Sequence, residues 1–220
     1  MCGRFSLDTN RAAIVKEFDC TEVAGNIPRY NITPSQQVTV IVERDNVREG
    51  LLMKWGLIPH WVKDLTKWDL NLFNARSESV KQKPSFKAAF RKYPCLIPAS
   101  GFYEWHRDRD SSTQQPYNFY TENRILAMAG IYDIWQDLET DKELMSCSIL
   151  TTEAQGEIAS IHSRMPIIVP PEHYQTWLSG FEDRINYLEN LPNVLLKLYP
   201  VSTIVNSAKN DVPKCVVPIN

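Results

Sequence analysis

The chain has 220 residues, of which 43% are apolar and 23% charged, and its net charge at pH 7 is −2. These proportions are ordinary for a globular protein with a substantial core. No apolar run approaches the roughly 20 residues of a transmembrane helix, and the N-terminus lacks the pattern of a signal peptide. Five widely spaced cysteines without a CxxC pair exclude a disulfide framework and a cysteine zinc site. We therefore expect a cytoplasmic protein with reduced thiols, no membrane partner, no metal and no cofactor.

The first half of the chain alternates short predicted elements with loops. They are a helix over Asn10–Phe18, a loop over Asn26–Ser35, a β-hairpin of Val38–Glu43 and Val47–Trp55, and a helix over Ser85–Lys92. Asp8 or Thr9 is the expected N-cap of the first helix, and Ser85 that of the second. Phe86, Ala89 and Phe90 should form the buried face of the second helix.

The second half is richer in strands. The predicted strands are Cys95–Pro98, Tyr117–Thr121, Ile125–Tyr132, Cys147–Thr151 and Leu198–Val201, and the predicted helices are His173–Ser179 and Arg184–Glu189. A polar hairpin tip is predicted over Asp108–Gln115. Many short strands with a few helices predict the α+β class. We expect a single domain over residues 1–220, built on a strongly bent or barrel-like, mainly antiparallel sheet.

The N-terminus carries the most specific chemistry in the sequence. Cys2 follows Met1 directly, and methionine aminopeptidases usually remove Met before a side chain this small. Removal leaves an α-amine and a thiol on one residue. An α-amine has a pKa of roughly 8, so a sizeable fraction is neutral near pH 7. It can attack an aldehyde to form an imine, on which the thiol can close a thiazolidine ring. Alternatively, the thiol acts as a plain nucleophile with the α-amine as its base, or Cys2 is an inert terminal residue.

Basic residues are concentrated in the first half of the chain. Residues 1–110 hold 17 basic and 13 acidic residues, whereas residues 111–220 hold 7 and 13. The excess is greatest in residues 54–92, where nine basic residues face three acidic ones. Because salt leaves only charges within about 10 Å effective, a local basic face is sufficient to bind phosphate. A solvated surface is the alternative interpretation.

Glu104 and His162 are the candidate proton carriers. Glu104 lies in an aromatic strand and shares a face with Phe102, so it is either exposed or held in a pocket. A carboxylate among aromatic rings has a raised pKa and can exchange protons near neutrality. His162 lies in a short polar interruption before an apolar stretch and is a candidate acid or base. An ordinary strand glutamate and a structural histidine remain the alternatives.

Two other groups of side chains suit nucleic-acid binding. Asn74 and Arg76 flank Ala75 and share one strand face, where an amide and a guanidinium can hydrogen-bond a sugar or phosphate. Trp61 and Trp68 lie in the basic segment and can stack on bases. The other four tryptophans are predicted to be core residues.

The ordered motifs resemble those of the SOS-response-associated peptidase family, the abasic-site processing proteins. The motifs are Met1-Cys2-Gly3-Arg4-Phe5, Arg29-Tyr30-Asn31-x-x-Pro34, Trp55-Gly56-Leu57-Ile58-Pro59, Asn74-Ala75-Arg76-x-Glu78, Phe86-Lys87, Pro98-Ala99-x-Gly101-Phe102-Tyr103-Glu104-Trp105, Ile161-His162-x-Arg164-Met165-Pro166 and Val201-Ser202-x-x-Val205-Asn206. The resemblance runs from residue 1 to about residue 211. The segment between Pro59 and Asn74 departs from the pattern, so Lys63, Lys67 and Trp68 take no role from it.

The resemblance implies a function and a set of site residues. Such proteins bind abasic sites in single-stranded DNA and form a thiazolidine cross-link through the N-terminal cysteine. Cys2 would be the nucleophile, Asn74 would position the sugar, Glu104 would act on the amine and the ring closure, and His162 would assist ring opening. The implied DNA contacts are Arg4, Trp61, Arg76 and Arg164. A monomer associated with the nucleoid when bound to DNA, and a lyase-type activity, are further expectations from the resemblance.

Three alternative functions remain, two of which would use Cys2 as a nucleophile. A cysteine peptidase or autoprotease would use Cys2 as its nucleophile, as the family name suggests. Class II glutamine amidotransferases also begin Met-Cys-Gly, but this chain continues with Arg4-Phe5 and lacks their Asn-Gly-Asp/Glu element. A DNA-binding module without covalent chemistry would leave the first five residues unexplained.

Overall fold

The computed structural model describes residues 2–25, 27–68, 71–106, 114–122, 125–137, 139–178 and 180–219. These residues form the strands β1 (Phe5–Leu7), β2 (Cys20–Val23), β3 (Arg29–Ile32), β4 (Gln37–Arg44), β5 (Val47–Trp55), β6 (Asn74–Arg76), β7 (Pro94–Ala99), β8 (Gly101–His106), β9 (Gln115–Tyr120), β10 (Leu126–Gln136), β11 (Glu143–Glu153), β12 (Arg164–Pro166), β13 (Ile168–Val169) and β14 (Lys197–Pro200). The helices are α1 (Arg11–Phe18), α2 (Ser77–Val80), α3 (Lys87–Lys92), α4 (Tyr174–Leu178) and α5 (Phe181–Glu189). The α+β prediction is confirmed.

Five of these strands close into a barrel. β5, β4, β7, β10 and β11 pair in that order with antiparallel neighbours, and a parallel pairing of β11 with β5 completes the ring. β12 and β6 extend from β11, and β2 extends from β5. Closure leaves no open sheet edge within the ring. The predicted barrel-like, mainly antiparallel sheet is therefore confirmed.

A second, five-stranded antiparallel sheet packs against the barrel. Its order is β14-β9-β8-β1-β3. The ring of Phe5 on β1 meets the edge of the Trp55 ring on β5 at 5.1 Å between centroids, which joins the two sheets. Phe102 and Phe119 stack at 5.2 Å and are fully buried. The N-terminal segment therefore enters between the two sheets.

The predicted hairpin and helix face are confirmed. β4 and β5 form the hairpin, and Asp45 and Asn46 at its tip have φ values of 52° and 61°. Two central residues with positive φ match the right-handed twist of the strands they join, and Asp and Asn tolerate that conformation. The face of α3 is also buried as predicted, through Phe86, Ala89 and Phe90.

Two N-cap predictions and one loop prediction are wrong. The N-cap of α1 is Asn10, whose side chain accepts from the N–H of Ala13, and neither Asp8 nor Thr9 caps it. α3 begins at Lys87 without a side-chain cap, so Ser85 is not its N-cap. The predicted loop over Asn26–Ser35 contains β3, which pairs with β1. Local propensity underestimated β3 because its pairing partner is distant in the chain.

Part of the predicted polar tip over Asp108–Gln115, residues 108–113, lies outside the described residues, and β9 begins at Gln115. The end of the helix predicted over His173–Ser179 lies outside them too. No helix among the described residues is long and apolar enough to cross a membrane.

Candidate active site

The pairing of β1 with β8 brings the N-terminus to Glu104. Phe5 pairs with Phe102, and the N–H of Tyr103 donates to the carbonyl oxygen of Arg4 over 2.9 Å. Continuing this antiparallel register places Gly3 opposite Glu104, with Cys2 next along the chain. Cys2 is fully buried. The strand pairing therefore sets the reactive terminus beside the buried carboxyl group.

Asn74 reaches the same point from the barrel. β6 runs parallel to β11, and Asn74 pairs with Ile149. Its Nδ2 donates to the carbonyl oxygen of Cys2 over 2.8 Å. Its Oδ1 is buried and has no hydrogen-bond partner among the described residues. A buried acceptor without a donor is costly, so this atom is suited to a donor supplied by a substrate.

Glu104 is held in a protonated state near neutrality. Its side chain points to the face it shares with Phe102, and the residue is 4% exposed. Burial raises the pKa of Glu104 to about 8. At pH 7 the carboxyl group is mostly neutral, and it can both donate and accept a proton close to that pH. The prediction of a raised pKa agrees with the structure.

His162 faces Glu104 across the site. It follows a short 3-10 helix, and its N–H donates to the carbonyl oxygen of Ile158 over 2.8 Å. Its Nδ1 lies 2.9 Å from the carbonyl oxygen of Arg164 and 3.0 Å from the Arg164 nitrogen. Its Nε2 lies 3.9 Å from Oε2 of Glu104, beyond hydrogen-bond distance. Burial lowers the pKa of His162, which favours the neutral ring.

The thiol of Cys2 is held neutral. Burial, and then the carboxylate of Glu104 when it is ionised, raise the pKa of Cys2 well above the ordinary value. The nearest hydrogen-bonding contact of its Sγ is the Arg4 carbonyl oxygen at 3.9 Å. A buried neutral thiol is a poor nucleophile because the thiolate is the reactive form. The site therefore favours chemistry in which another group attacks first.

Arg4 is largely engaged in the fold. Its Nη1 donates to Oδ1 of Asn31 over 2.8 Å and to the carbonyl oxygen of Val205 over 2.5 Å. Its guanidinium lies over the Trp105 ring at 5.6 Å, and burial lowers its pKa. Its Nε is buried without a partner among the described residues. Arg4 thus joins the N-terminal segment to the C-terminal segment, and any DNA contact has to use its remaining donors.

The other two predicted arginines differ from each other. Arg164, whose side chain is 14% exposed, forms a two-point ion pair with Glu78 at 2.5 and 3.0 Å. It also donates to the carbonyl oxygen of Thr151 over 2.6 Å. Arg76 is exposed and forms no ion pair with any described residue. Arg76 is therefore the more accessible of the two guanidinium groups.

Trp61, which the resemblance implies as a DNA contact, has an exposed side chain. It is 48% exposed and meets Trp68 edge to face at 5.7 Å between centroids. Of the four tryptophans predicted as core, Trp105 is only partly buried, and its Nε1 donates to Oδ1 of Asn206 over 2.7 Å. Trp105 lies near the end of β8 in the second sheet, beside the C-terminal segment, and is therefore not fully buried.

Sequence reasoning gave no role to Asn31 and Asp211, which hold the site together. Asn31 is fully buried, and its Nδ2 donates to three carbonyl oxygens of the C-terminal segment, those of Val205, Ser207 and Asn210. The carboxylate of Asp211 accepts from the backbone N–H groups of Tyr30 and Asn31. The motif Arg29-Tyr30-Asn31 was the available signal, but its partners lie about 175 residues away.

A separate groove of about 620 Å³ lies between β12, β13 and the segment 191–198. None of Cys2, Asn74, Glu104 and His162 lines it. The described residues also contain no group of three side chains suited to a metal ion.

Comparisons with known proteins agree on one family. A family model described as "SOS response associated peptidase (SRAP)" matches residues 1–208. The abasic site processing protein YoqW of Bacillus subtilis is 36% identical, over 98% of this chain and 99% of its own length. The abasic site processing protein HMCES of Rattus norvegicus is 30% identical, over 99% of this chain and 76% of its own length.

Solved structures share the fold. A crystal structure of a protein from Bacteroides thetaiotaomicron has a TM-score of 0.87 at 24% identity and covers both chains completely. One from Bordetella bronchiseptica has a TM-score of 0.79 at 25% identity, over 91% of this chain and 100% of its own.

Proposed function

This chain belongs to the SOS response associated peptidase family, and we propose that it processes abasic sites by linking its N-terminal cysteine to the lesion in single-stranded DNA. The names of the relatives support processing of abasic sites. The observation that carries the covalent step is the convergence of Cys2, Asn74, Glu104 and His162 on one buried point. We also propose that residues 1–220 work as one domain and as a monomer, in the cytoplasm and on the nucleoid when bound to DNA.

The first step is opening of the deoxyribose ring. An abasic sugar is mostly a closed hemiacetal, which has no aldehyde for an amine to attack. His162 takes the proton of the C1 hydroxyl, and Glu104, protonated near neutrality, gives a proton to the ring oxygen as the C1–O4 bond breaks. Asn74 orients the sugar through its buried Oδ1. The raised pKa of Glu104 and the lowered pKa of His162 support this division of roles.

The second step joins the protein to the sugar. The α-amine of Cys2 attacks the aldehyde carbon and loses a proton to the Glu104 carboxylate, while the protonated His162 ring gives its proton to the aldehyde oxygen, which becomes a hydroxyl group. Glu104 then gives a proton to this hydroxyl group, which leaves as water, and a protonated imine remains. The sulfur of Cys2 adds to the imine carbon, and the thiol proton passes to the Glu104 carboxylate, which returns both side chains to their starting states. The product is a thiazolidine, and one water molecule is released.

This order suits a buried thiol. Because the pKa of Cys2 is raised, the amine attacks first and the thiol adds only when the adjacent imine is in place. Once the imine has formed, the reaction is intramolecular, so proximity compensates for a neutral sulfur nucleophile. The same raised pKa argues against a cysteine peptidase, in which the thiolate must attack unaided by an imine.

The DNA path uses the side chains around this point. Arg76 contacts phosphate, Trp61 stacks on a base, and Arg4 and Arg164 add hydrogen bonds from donors that their fold contacts leave over. The local excess of basic residues in 54–92 supports this path despite the net charge of −2.

The test uses protein from which Met1 has been removed and an oligonucleotide with one abasic site. We expect a heat-stable adduct on a denaturing gel, none with an intact strand, and none with Cys2→Ala. Full adduct yield from Cys2→Ala would exclude the thiazolidine. Peptide and glutamine hydrolysis, assayed on the same samples, would identify a peptidase or an amidohydrolase instead.

A further inference from the structure

A small cavity opens one residue away from Asn74. It has a volume of about 220 Å³, smaller than the roughly 300 Å³ at which pockets for whole small molecules begin. Its lining includes Phe73, the neighbour of Asn74, so it adjoins the proposed reaction centre. Consecutive Cα atoms lie 3.8 Å apart, so the cavity lining comes within one residue of Asn74 along the chain.

The polar groups that line this cavity are mainly hydrogen-bond donors. Lys54 forms no ion pair with the residues the structure describes, and Asn71 is exposed. The Nε1 of Trp68 is buried and has no hydrogen-bond partner in the described part of the chain. Ser35, which carries a hydroxyl group, is on the same lining. A buried N–H without an acceptor costs free energy, and Trp68 lines the same cavity as Lys54.

The cavity is shaped by the turn at Gly56. Gly56 has a φ of +136°, a conformation that side-chain-bearing residues rarely adopt, and its N–H donates to the carbonyl oxygen of Cys147. A Cβ atom at Gly56 would meet nothing within 4 Å, so the space above the turn is open. The indole N–H of Trp55 is already bonded to the carbonyl oxygen of Phe73. The donors left for a ligand are therefore those of Lys54, Trp68, Asn71 and Ser35.

We infer that the cavity bounded by Lys54, Trp68 and Asn71 binds one phosphodiester group of the DNA strand, next to the abasic residue. The inference rests on the proposed function. A phosphodiester supplies a negative charge and two exposed acceptor oxygens, which match an ammonium group and an indole N–H. No acidic side chain is among the described residues that line the cavity.

The test is a double-mutant cycle between protein and DNA. The probe is a single-stranded oligonucleotide with a tetrahydrofuran residue, which lacks an aldehyde and cannot form the adduct. One phosphate at a time is replaced by a neutral methylphosphonate, and Kd is measured by fluorescence anisotropy. For the wild-type protein we expect one position near the lesion to weaken binding about tenfold, as for a charged hydrogen bond.

Variants of Lys54 decide where that phosphate binds. Lys54→Gln should weaken binding to the unmodified strand by a similar factor and should make the protein insensitive to the methylphosphonate. Its salt dependence should lose about 0.7 from the slope of log Kd against log salt. Lys54→Arg keeps the charge and should keep the sensitivity. Trp68→Phe keeps the ring, removes the N–H, and should reduce the sensitivity in part.

Lys67 supplies the matched control. It lies in the same basic segment, its side chain is 84% exposed, it does not line the cavity, and it pairs with Asp64. Lys67→Gln should leave the methylphosphonate penalty in place. The inference would be overturned if Lys54→Gln kept the full methylphosphonate penalty at the sensitive position, or if the wild type had no sensitive position. A loss of binding on removal of a neighbouring base, with no phosphate effect, would identify a base as the occupant instead.

The outcome is separable from the proposed covalent chemistry. Normal adduct yield with no coupling in the cycle would reject only the phosphodiester subsite. Coupling in the cycle without any adduct on reactive abasic DNA would reject only the covalent step. No binding to either oligonucleotide would reject both.

Discussion

The side-chain amide of Asn74 donates a hydrogen bond to the carbonyl oxygen of Cys2 over 2.8 Å. This contact ties a barrel-associated strand to the first residue of the processed chain. The same side chain keeps its buried Oδ1 without a partner among the described residues. One amide therefore holds the Cys2 backbone on one side and presents an acceptor on the other.

Replacing Asn74 tests that double role. Asn74→Asp cannot donate to the Cys2 carbonyl and places a second carboxyl group near Glu104, and Asn74→Ala removes both contacts. We expect either change to slow adduct formation about tenfold or more at saturating DNA, since each lost hydrogen bond is worth about 0.5–1.5 kcal/mol. Single-turnover gels measure the rate. Asn190→Ala, at the exposed end of α5, should leave the rate unchanged; an equal loss there would indicate a general effect on the fold.

Removal of Met1 should switch the chemistry on. With Met1 present, the nitrogen of Cys2 is an amide and cannot form an imine, and the Met1 amine has no thiol on the same residue to close a five-membered ring. Protein that retains Met1 should bind abasic DNA but give no heat-stable adduct, and aminopeptidase treatment should restore the adduct. Intact-mass measurement identifies the form in each assay. A heat-stable adduct from protein verified to retain Met1 would show that the linkage is different.

Glu104 and His162 should affect rate more than affinity. As proton carriers, they should each contribute on the order of 10²- to 10⁴-fold, so Glu104→Gln and His162→Ala should slow adduct formation by that range. Binding of the unreactive tetrahydrofuran strand should change little. Anisotropy and single-turnover gels on the same preparations separate the two quantities. A lowered Tm with unchanged chemistry in the folded fraction would point to a structural role instead.

Stability should depend on pH through Glu104. Burial raises its pKa from 4.5 to about 8, so between these values the folded protein keeps a proton that the unfolded chain releases. The free energy of unfolding should therefore fall as pH rises through this window, by up to about 1.4 kcal/mol per pH unit, and level off above it. Glu104→Gln removes this dependence, so the stability of the variant relative to the wild type should increase between pH 5 and pH 8. Urea titrations at several pH values measure the difference; parallel curves would contradict the raised pKa.

Arg76 and Arg164 should respond differently to neutralisation. Arg76 is exposed and unpaired among the described residues, so Arg76→Gln should cut the salt slope of DNA binding by about 0.7 and leave Tm nearly unchanged. Arg164→Gln breaks the two-point pair with Glu78 and should lower Tm, with a smaller change in slope. Anisotropy at several salt concentrations and thermal melts give both readouts. Identical slopes for the two variants would place both arginines equally on the DNA path.

Much of the local structure followed from sequence patterns. The β4–β5 hairpin was predictable because alternating apolar residues flank a turn whose Asp45 and Asn46 accept positive φ. The buried face of α3 followed from helical spacing in the same way. The N-cap predictions were wrong because neighbouring polar residues such as Thr9 and Asn10 are each suited to one position, and the sequence pattern does not rank them. The barrel-like sheet was predicted, but the parallel pairing of β5 with β11 that closes it was not, because a pairing between distant strands leaves no local signal.

The sequence by itself determined the chemistry available: an aminothiol at Cys2 once Met1 is removed, a carboxyl group among aromatic residues, and a basic first half. Only the tertiary structure decided which of these groups meet. Strand register brings Cys2 to Glu104 and Asn74, and the loop before β12 brings His162 to within 3.9 Å of that carboxyl group. The tertiary structure also places Arg4 and Arg164 in hydrogen bonds with partners within the fold. The physical reason is that periodicity reports which face a side chain occupies, whereas the partner across that face depends on pairings between segments far apart in the chain.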